Sequence, residues 1–289
     1  MVVWSANFIV VKDVIGIVPP VAFSFVRYAL SSLTLLLLLR WSEGEIRRPA
    51  GLGRILLSGA LGFGLYQMLW TVGLQTIPAG SSALLIAATP VLTAVIAALV
   101  GADTLTPSKA LGVLVSFIGV VLVIASGVGI ELTGSPIGFA LTLGAALCWA
   151  IYTAVGARAM RQHTPLSFTT WATIGGTMAL APIGIGQLAS SGTIGGLTAD
   201  QWPTVLLAIV YSGIVAAALS NILVLNGVRL LGPTRITTTQ ALVPAMAVIL
   251  AFVFLHEPIH LGQVLGGAII IAGVALTRRA SGRYAVHPR

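Results

Sequence analysis

Charge is scarce in this sequence. Asp, Glu, Lys and Arg make up 8% of its 289 residues, against about 25% in an ordinary soluble domain. Acid is scarcer than base, with 7 Asp and Glu to 15 Lys and Arg. One cysteine, Cys148, excludes a disulfide framework and any cysteine-rich zinc or iron–sulfur site. There is no Walker element, so ATP does not drive the chain's activity. No Asp or Glu falls deep inside an apolar run, which removes the usual carboxylate relay for proton coupling. What fills the chain is hydrophobic sequence, 57% of it. Glycine (33) and proline (14) are frequent but form no low-complexity tract. This composition excludes a soluble enzyme, a disordered chain and a fibrous protein. The net charge of +8 sits in small groups between apolar runs, with no continuous basic face, so no nucleic-acid partner is expected. No cofactor and no metal are expected either.

The apolar runs divide into ten spans: 1–18, 20–40, 52–75, 78–100, 107–126, 135–157, 165–188, 203–228, 233–255 and 260–278. Ten spans consume about 200 residues, so the loops must be short and no extramembrane domain fits. The first run lacks a basic flank and is followed by more spans, unlike a signal peptide. Most prolines stand at or near span starts, where a missing N–H costs little. Pro90 and Pro244 fall in mid-run and should kink or interrupt their helices, as fixed bends or hinges. With the N-terminus in the cytoplasm, the cytoplasmic segments hold 13 of the 15 Lys and Arg. Lys12 alone lies outside, and Arg27 lies within a span. That asymmetry supports an even span count with both termini inside.

The halves repeat. Trp4 and Trp149, Pro20 and Pro165, and Phe23 and Phe168 are each 145 residues apart. Gly73 and Gly227, Pro90 and Pro244, Asp103 and Glu257, Gly112 and Gly266, and Gly119 and Gly273 are each 154 apart. A longer polar stretch at Ser190–Gln201 absorbs the difference. Each repeat holds five spans, an odd number, so the second must enter the membrane from the opposite face. The expected fold is an all-α integral membrane protein, with two inverted five-helix repeats around a central cavity. The repeats cover 1–126 and 135–278, with a cytoplasmic tail at 279–289.

Several motifs carry a family resemblance. They are the opening W-S-A-N-F-I-V-V-K, the W-A-I-Y of span six, the paired mid-span prolines and the closing E-P-I-H-L-G-Q-V-L-G-G-A-I-I-I-A-G-V. In order and spacing they resemble the drug/metabolite transporter superfamily, EamA type, over nearly the whole chain. Among its members the chain looks most like the YddG-type amino acid exporters. The resemblance implies a basket of ten helices around a central cavity, with both termini cytoplasmic. Family members usually have several residues before the Trp-x-x-Asn element, whereas Trp4 here almost follows Met1, a departure that N-terminal shortening would explain.

The candidate site residues share helical faces. Trp4 and Asn7 are three apart, as are Trp149 and Tyr152 in the second half. Tyr66 and Trp70 are four apart, with Gln67 beside them. Their rings and polar tips suit an apolar side chain or a cation, and ordinary helix packing is the alternative for each. Asn221, Asn226, Thr237 and Gln240 are further polar groups in spans eight and nine, Gln240 one turn before Pro244. Trp171 is a weaker candidate, and Gln75 reads as a capping group. Lys12 and Arg27 could form an outer gate, or snorkel to the headgroups. His256–His260 matches H-E-x-x-H, but Pro258 inside it favours a loop over a zinc-binding helix. Glu257 is expected to complement the dipole of the helix it precedes.

These readings converge on an inner (plasma) membrane secondary transporter. It is expected to export amino acids, aromatic or otherwise neutral, or related small metabolites, by alternating access. Its partners would be a small-molecule substrate and the lipid bilayer, with a monomer the simplest state. A carrier of phosphorylated sugars or nucleotide-sugars would want several cations at depth, and a multidrug exporter for organic cations would want a buried carboxylate. An integral membrane enzyme would need a cluster of His, Asp or Glu at one depth.

Overall fold

The structure, a computed structural model, describes residues 1–101, 106–127, 135–190, 192–224, 240 and 242–282. Among these residues all regular structure is helical. The helices are α1 (Val2–Val14), α2 (Pro20–Glu43), α3 (Leu52–Thr76), α4 (Ala79–Leu99), α5 (Pro107–Gly127), α6 (Pro136–Gln162), α7 (Pro165–Ser190), α8 (Gln201–Val224), α9 (Leu242–Leu255) and α10 (Leu261–Gly282). One further turn of helix, Thr193–Gly196, lies between α7 and α8. By length and hydropathy, α2 to α8 are each able to cross a membrane. Leu242–Leu255 and Leu261–Thr277 are shorter apolar helices. Leucine, valine, phenylalanine and isoleucine remain exposed on outward faces, for example Leu37, Leu57, Val121, Leu207 and Phe254. Lipid solvates such faces and water does not, so the chain is a multi-pass membrane protein.

Local chemistry sets the helix ends. Proline occupies the first turn of α2 and α6, where its fixed φ favours helix entry. Gly44 stops α2 at φ 77, its N–H bonded to the Arg40 carbonyl at 3.1 Å, a left-handed cap that a side chain would strain.

Several expected helices depart from regular spans. The run at 78–100 breaks at Ala87–Ala88 into Ala79–Ile86 and Thr89–Leu99, with Pro90 in the first turn of the second piece. The proline thus interrupts its helix and restarts it. Pro244 lies within α9, and of the expected approach at 233–241 only Gln240, which is helical, is among the described residues. The first span ends at Val14, short of residue 18. Beyond the expected spans, π turns occur at Ala60–Leu65 in α3 and Tyr211–Leu219 in α8.

Glycines hold the helices close. A Cβ on Gly112 would collide with Gly273 and Thr277, and one on Gly119 with Gly266 and Ile270, along the α5–α10 crossing. The Ser116 hydroxyl donates to the Ile270 carbonyl between those points (3.2 Å). At a second crossing, Ser32 in α2 and Thr177 in α7 share a hydrogen bond at 2.9 Å. Gly59 of α3 packs on the backbone of Ala172 in α7, and Gly213 of α8 on the backbone of Arg27 in α2.

Candidate functional site

A cavity of about 520 Å³ opens among α1, α2, α3, α4, α6, α8, α9 and α10. Its wall is aromatic. The π turn inserts one extra residue into α3 just before Tyr66. Tyr66 then stacks on Trp70, with ring planes 9° apart and centroids at 6.4 Å. Trp149 of α6 meets Tyr66 at 5.4 Å and Phe63 at 5.5 Å. Phe8 of α1 stands edge-on to Trp70 at 5.3 Å. Trp4 also lines the space, its indole N–H donating to the Ala216 carbonyl of α8 (3.1 Å). The Trp70 indole N–H donates to Ser82 Oγ at 3.1 Å, which fixes the ring against α4.

A polar network crosses this wall. Arg27 of α2 is 1% exposed and donates to Ser212 Oγ of α8 and to Gln67 Oε1 of α3. Gln67 Nε2 donates to the Tyr28 hydroxyl (2.7 Å), and Ser212 Oγ to Asn7 Oδ1 (2.7 Å). The guanidinium carbon also lies 5.2–5.5 Å from the ring centroids of Phe23, Tyr28 and Trp70. Arg27 therefore does not snorkel to a headgroup. Its stem points inward and its head joins the cavity lining.

The structure brings together Trp4, Asn7, Tyr66, Gln67, Trp70, Trp149, Asn221 and Gln240, along with Pro90 and Pro244. Asn221 turns its amide N–H back to the Ala217 carbonyl of its own helix (2.6 Å). Tyr152 does not join them. It packs behind the wall between Phe63 and Phe168, at 5.3 and 6.2 Å, because Gly62 leaves room for its ring there. Trp171 is also packed behind, in the cluster around Tyr28 and Phe63, and its buried indole N–H has no partner. Asn226 and Thr237 lie outside the described residues.

Lys12 is separated from Arg27 and does not line the cavity. Its ammonium donates to the carbonyls of Leu74 (2.7 Å), Gln75 (3.2 Å) and Ile77 (2.9 Å), capping the end of α3. Cations suit a helix C-terminus. Gln75 ties the same corner to the Ile15 carbonyl at 3.1 Å. Glu257 accepts from the N–H groups of Ala79 (2.8 Å) and Gly80 (3.3 Å). It thus caps α4, a distant helix, where complementing the helix that follows it was expected. The H-E-x-x-H residues form the irregular link between α9 and α10, with His256 at φ 54, so they present no helical face to a metal.

Sequence reasoning missed Phe8, Tyr28, Phe63 and Ser212 in the lining. Tyr28 follows Arg27 directly and could have been suspected. Ser212 is one of many small residues in α8, and nothing in its local sequence marks it.

The EamA-like transporter family matches residues 1–125 and, separately, 136–279. Over 276 residues the chain is 27% identical to the "Uncharacterized transporter YyaM" of Bacillus subtilis, covering 93% of this chain and 88% of the relative. It is 31% identical to the "Probable terminal-alkyne amino-acid exporter" of Streptantibioticus cattleyicolor, covering 82% and 78%. It is 27% identical to the "Probable amino-acid metabolite efflux pump" of Salmonella typhimurium, covering 95% and 90%. One crystal structure superposes with a TM-score of 0.64 at 17% identity, over 99% of this chain and 95% of the other, a likeness of fold alone. With a family match across both halves and an apolar helical body enclosing a cavity, the chain belongs to the EamA-like transporter family of the drug/metabolite transporter superfamily and is a membrane transporter of a small molecule.

Proposed function

We propose that the protein exports neutral amino acids, aromatic ones among them, across the inner (plasma) membrane by alternating access. The observation that carries this reading is the cavity itself, where an aromatic wall from both halves of the chain meets a polar network around one cation. Flat rings can hold an apolar side chain, and the polar groups can orient its charged end. Two relatives bear amino-acid export names, which supports the substrate class.

The mechanism follows from two inverted repeats, 1–126 and 135–278, related by a two-fold axis in the membrane plane. Paired contacts support this symmetry. Gly112 meets Gly273 while Gly119 meets Gly266, and each pair is the other's repeat counterpart. Ser116 bonds to Ile270, its own counterpart, and Ser32 to Thr177, its own counterpart. Gly59 on Ala172 mirrors Gly213 on Arg27. Such self-complementary contacts are what a two-fold axis generates. The π turns of α3 and α8 fall at equivalent places, as do Pro90 and Pro244, which mark bends about which the ends of α4 and α9 close the cavity in turn. With both termini cytoplasmic, the Trp4 end of the cavity faces inward. The corner where Lys12 caps α3 and Glu257 caps α4 is then the closed outer side.

Reconstitution into liposomes tests the reading. Vesicles loaded with labelled phenylalanine, leucine or tryptophan should lose label faster than empty-membrane controls. Efflux should persist without a pH gradient or membrane potential, since among the described residues no carboxylate lines the cavity. No protein-dependent efflux of any amino acid would refute the substrate class. Efflux that stops when a proton gradient is collapsed would refute the uncoupled mechanism.

A further inference from the structure

Arg27 is a permanent cation, fully buried, with no acid beside it. Among the described residues none that lines the cavity is Asp or Glu, and the ion pair that forms joins Arg47 and Glu45 at the surface. Two of the guanidinium nitrogens are held by neutral oxygens, those of Ser212 and Gln67. The third, Nε, is buried without a partner. Guanidinium carries five donors in a fixed fork that matches a carboxylate. The aromatic rings around it soften the burial of charge but do not neutralise it. A charge held this deep and this rigidly is costly unless an anion meets it.

We propose that Arg27 is the anchor for a carboxylate on the substrate, so the cavity selects small aromatic or apolar monocarboxylates and has no charged reader for the α-ammonium group. This inference rests on the cavity being the transport site. The carboxylate takes guanidinium donors that Ser212 and Gln67 leave unused, and the side chain lies along Tyr66, Trp70 and Trp149. A zwitterion enters by its carboxylate, and its ammonium finds only neutral acceptors. The same monoanion without the amine should therefore bind about as well. Among the described residues a single lining cation balances one negative charge, so phosphomonoester dianions are poor ligands.

The test uses the full chain in detergent, with tryptophan emission as the readout, since Trp70 borders Arg27. The ligands are phenylalanine, 3-phenylpropionate, phenethylamine and phenyl phosphate. The first two are expected to bind within about threefold of each other, and the last two at least about tenfold more weakly, the scale of one charge-assisted hydrogen bond. Arg27→Gln should weaken the carboxylates at least about tenfold and leave phenethylamine unchanged, with Arg27→Lys between. Should Arg27→Gln fail to fold, the ligand series on the unaltered protein decides alone. Phenethylamine binding as tightly as phenylalanine, or carboxylate binding unchanged in Arg27→Gln, overturns the proposal. Arg27-dependent carboxylate binding without amino acid efflux from liposomes sinks the export reading and leaves this one standing. Efflux of phenylalanine and phenethylamine alike does the reverse.

Discussion

Substituting Gly119 by alanine puts the α5–α10 crossing to a quantitative test. A Cβ there would lie 2.6 Å from the Gly266 carbonyl oxygen and 2.7 Å from the Ile270 nitrogen, whereas ordinary contact begins near 3.4 Å. The obstructing atoms are backbone and cannot rotate away, so the helices must part by about 0.8 Å, the gap between those distances. A radial gap of about 0.5–1 Å forfeits a quarter to a half of each dispersion contact along the seam. Overpacking of this kind costs about 1–3 kcal/mol. That corresponds to a fall on the order of 2–6 °C in unfolding temperature. Gly186 in α7 is the control, since nothing lies within 4 Å of its Cβ position. There alanine should stabilise, because a helical glycine is about 0.5–1 kcal/mol worse than alanine. Cys148 supplies the assay as the chain's one cysteine, 7% exposed, so a thiol-reactive fluorogenic dye reports unfolding directly. Gly273→Ala should match Gly119→Ala, since its Cβ would stand 2.6 Å from the Gly112 carbonyl oxygen. Combining Gly119→Ala with Gly266→Ala should cost less than the two singles together, because both open the same contact. A Gly119→Ala protein as stable as the unaltered one, or a Gly186→Ala protein that falls by the same amount, would refute the close-packing argument.

Four further outcomes are expected. Trp70→Ala and Trp149→Ala each remove one large ring of the aromatic wall and should slow amino acid efflux at least about tenfold, the effect of losing roughly 1.4 kcal/mol of binding, while Trp171→Phe should transport normally because Trp171 packs behind the wall. Lys12→Met strips the charged donor from three carbonyls at the end of α3 and should cost about 2–3 kcal/mol, read as dye-detected unfolding with no change in carboxylate affinity. Pro90→Ala and Pro244→Ala should fold and turn over more slowly, and full activity in the double variant would reduce both prolines to relics of duplication. Single cysteines at Gly44, Ser135 and Ser190 in a Cys148→Ala background should be labelled from outside at the latter two only, and outside labelling at position 44 would reverse the orientation.

The apolar runs and their breaks were legible because lipid solvation is a preference each residue expresses on its own, so it survives in the linear order. The helix starts at Pro20, Pro107, Pro136 and Pro165 follow from local backbone chemistry and appear where expected. Trp4 and Asn7, and Tyr66 and Trp70, line the same cavity, since spacing along one helix fixes a common side. Tyr152 satisfied the same rule and still left the cavity. Its ring had a choice between the open space and a notch at Gly62, and only the position of α3 beside α6 decided it.

Arg27 marks the boundary most sharply. The sequence alone determined that an arginine stands within a span. Whether its stem would reach up to headgroups or turn inward depended on what stood beside α2. Gly213 lets α8 approach the Arg27 backbone, which brings Ser212 within reach of the guanidinium, while α3 presents Gln67 from the other side. Ser212 lies 185 residues along the chain and Gln67 lies 40. The same applies to Glu257, whose carboxylate caps a helix 178 residues away. A side chain's hydrophobicity belongs to the residue, but a buried polar group's partner belongs to the packing, so composition could announce a membrane protein and only the tertiary fold could place a cation in its cavity.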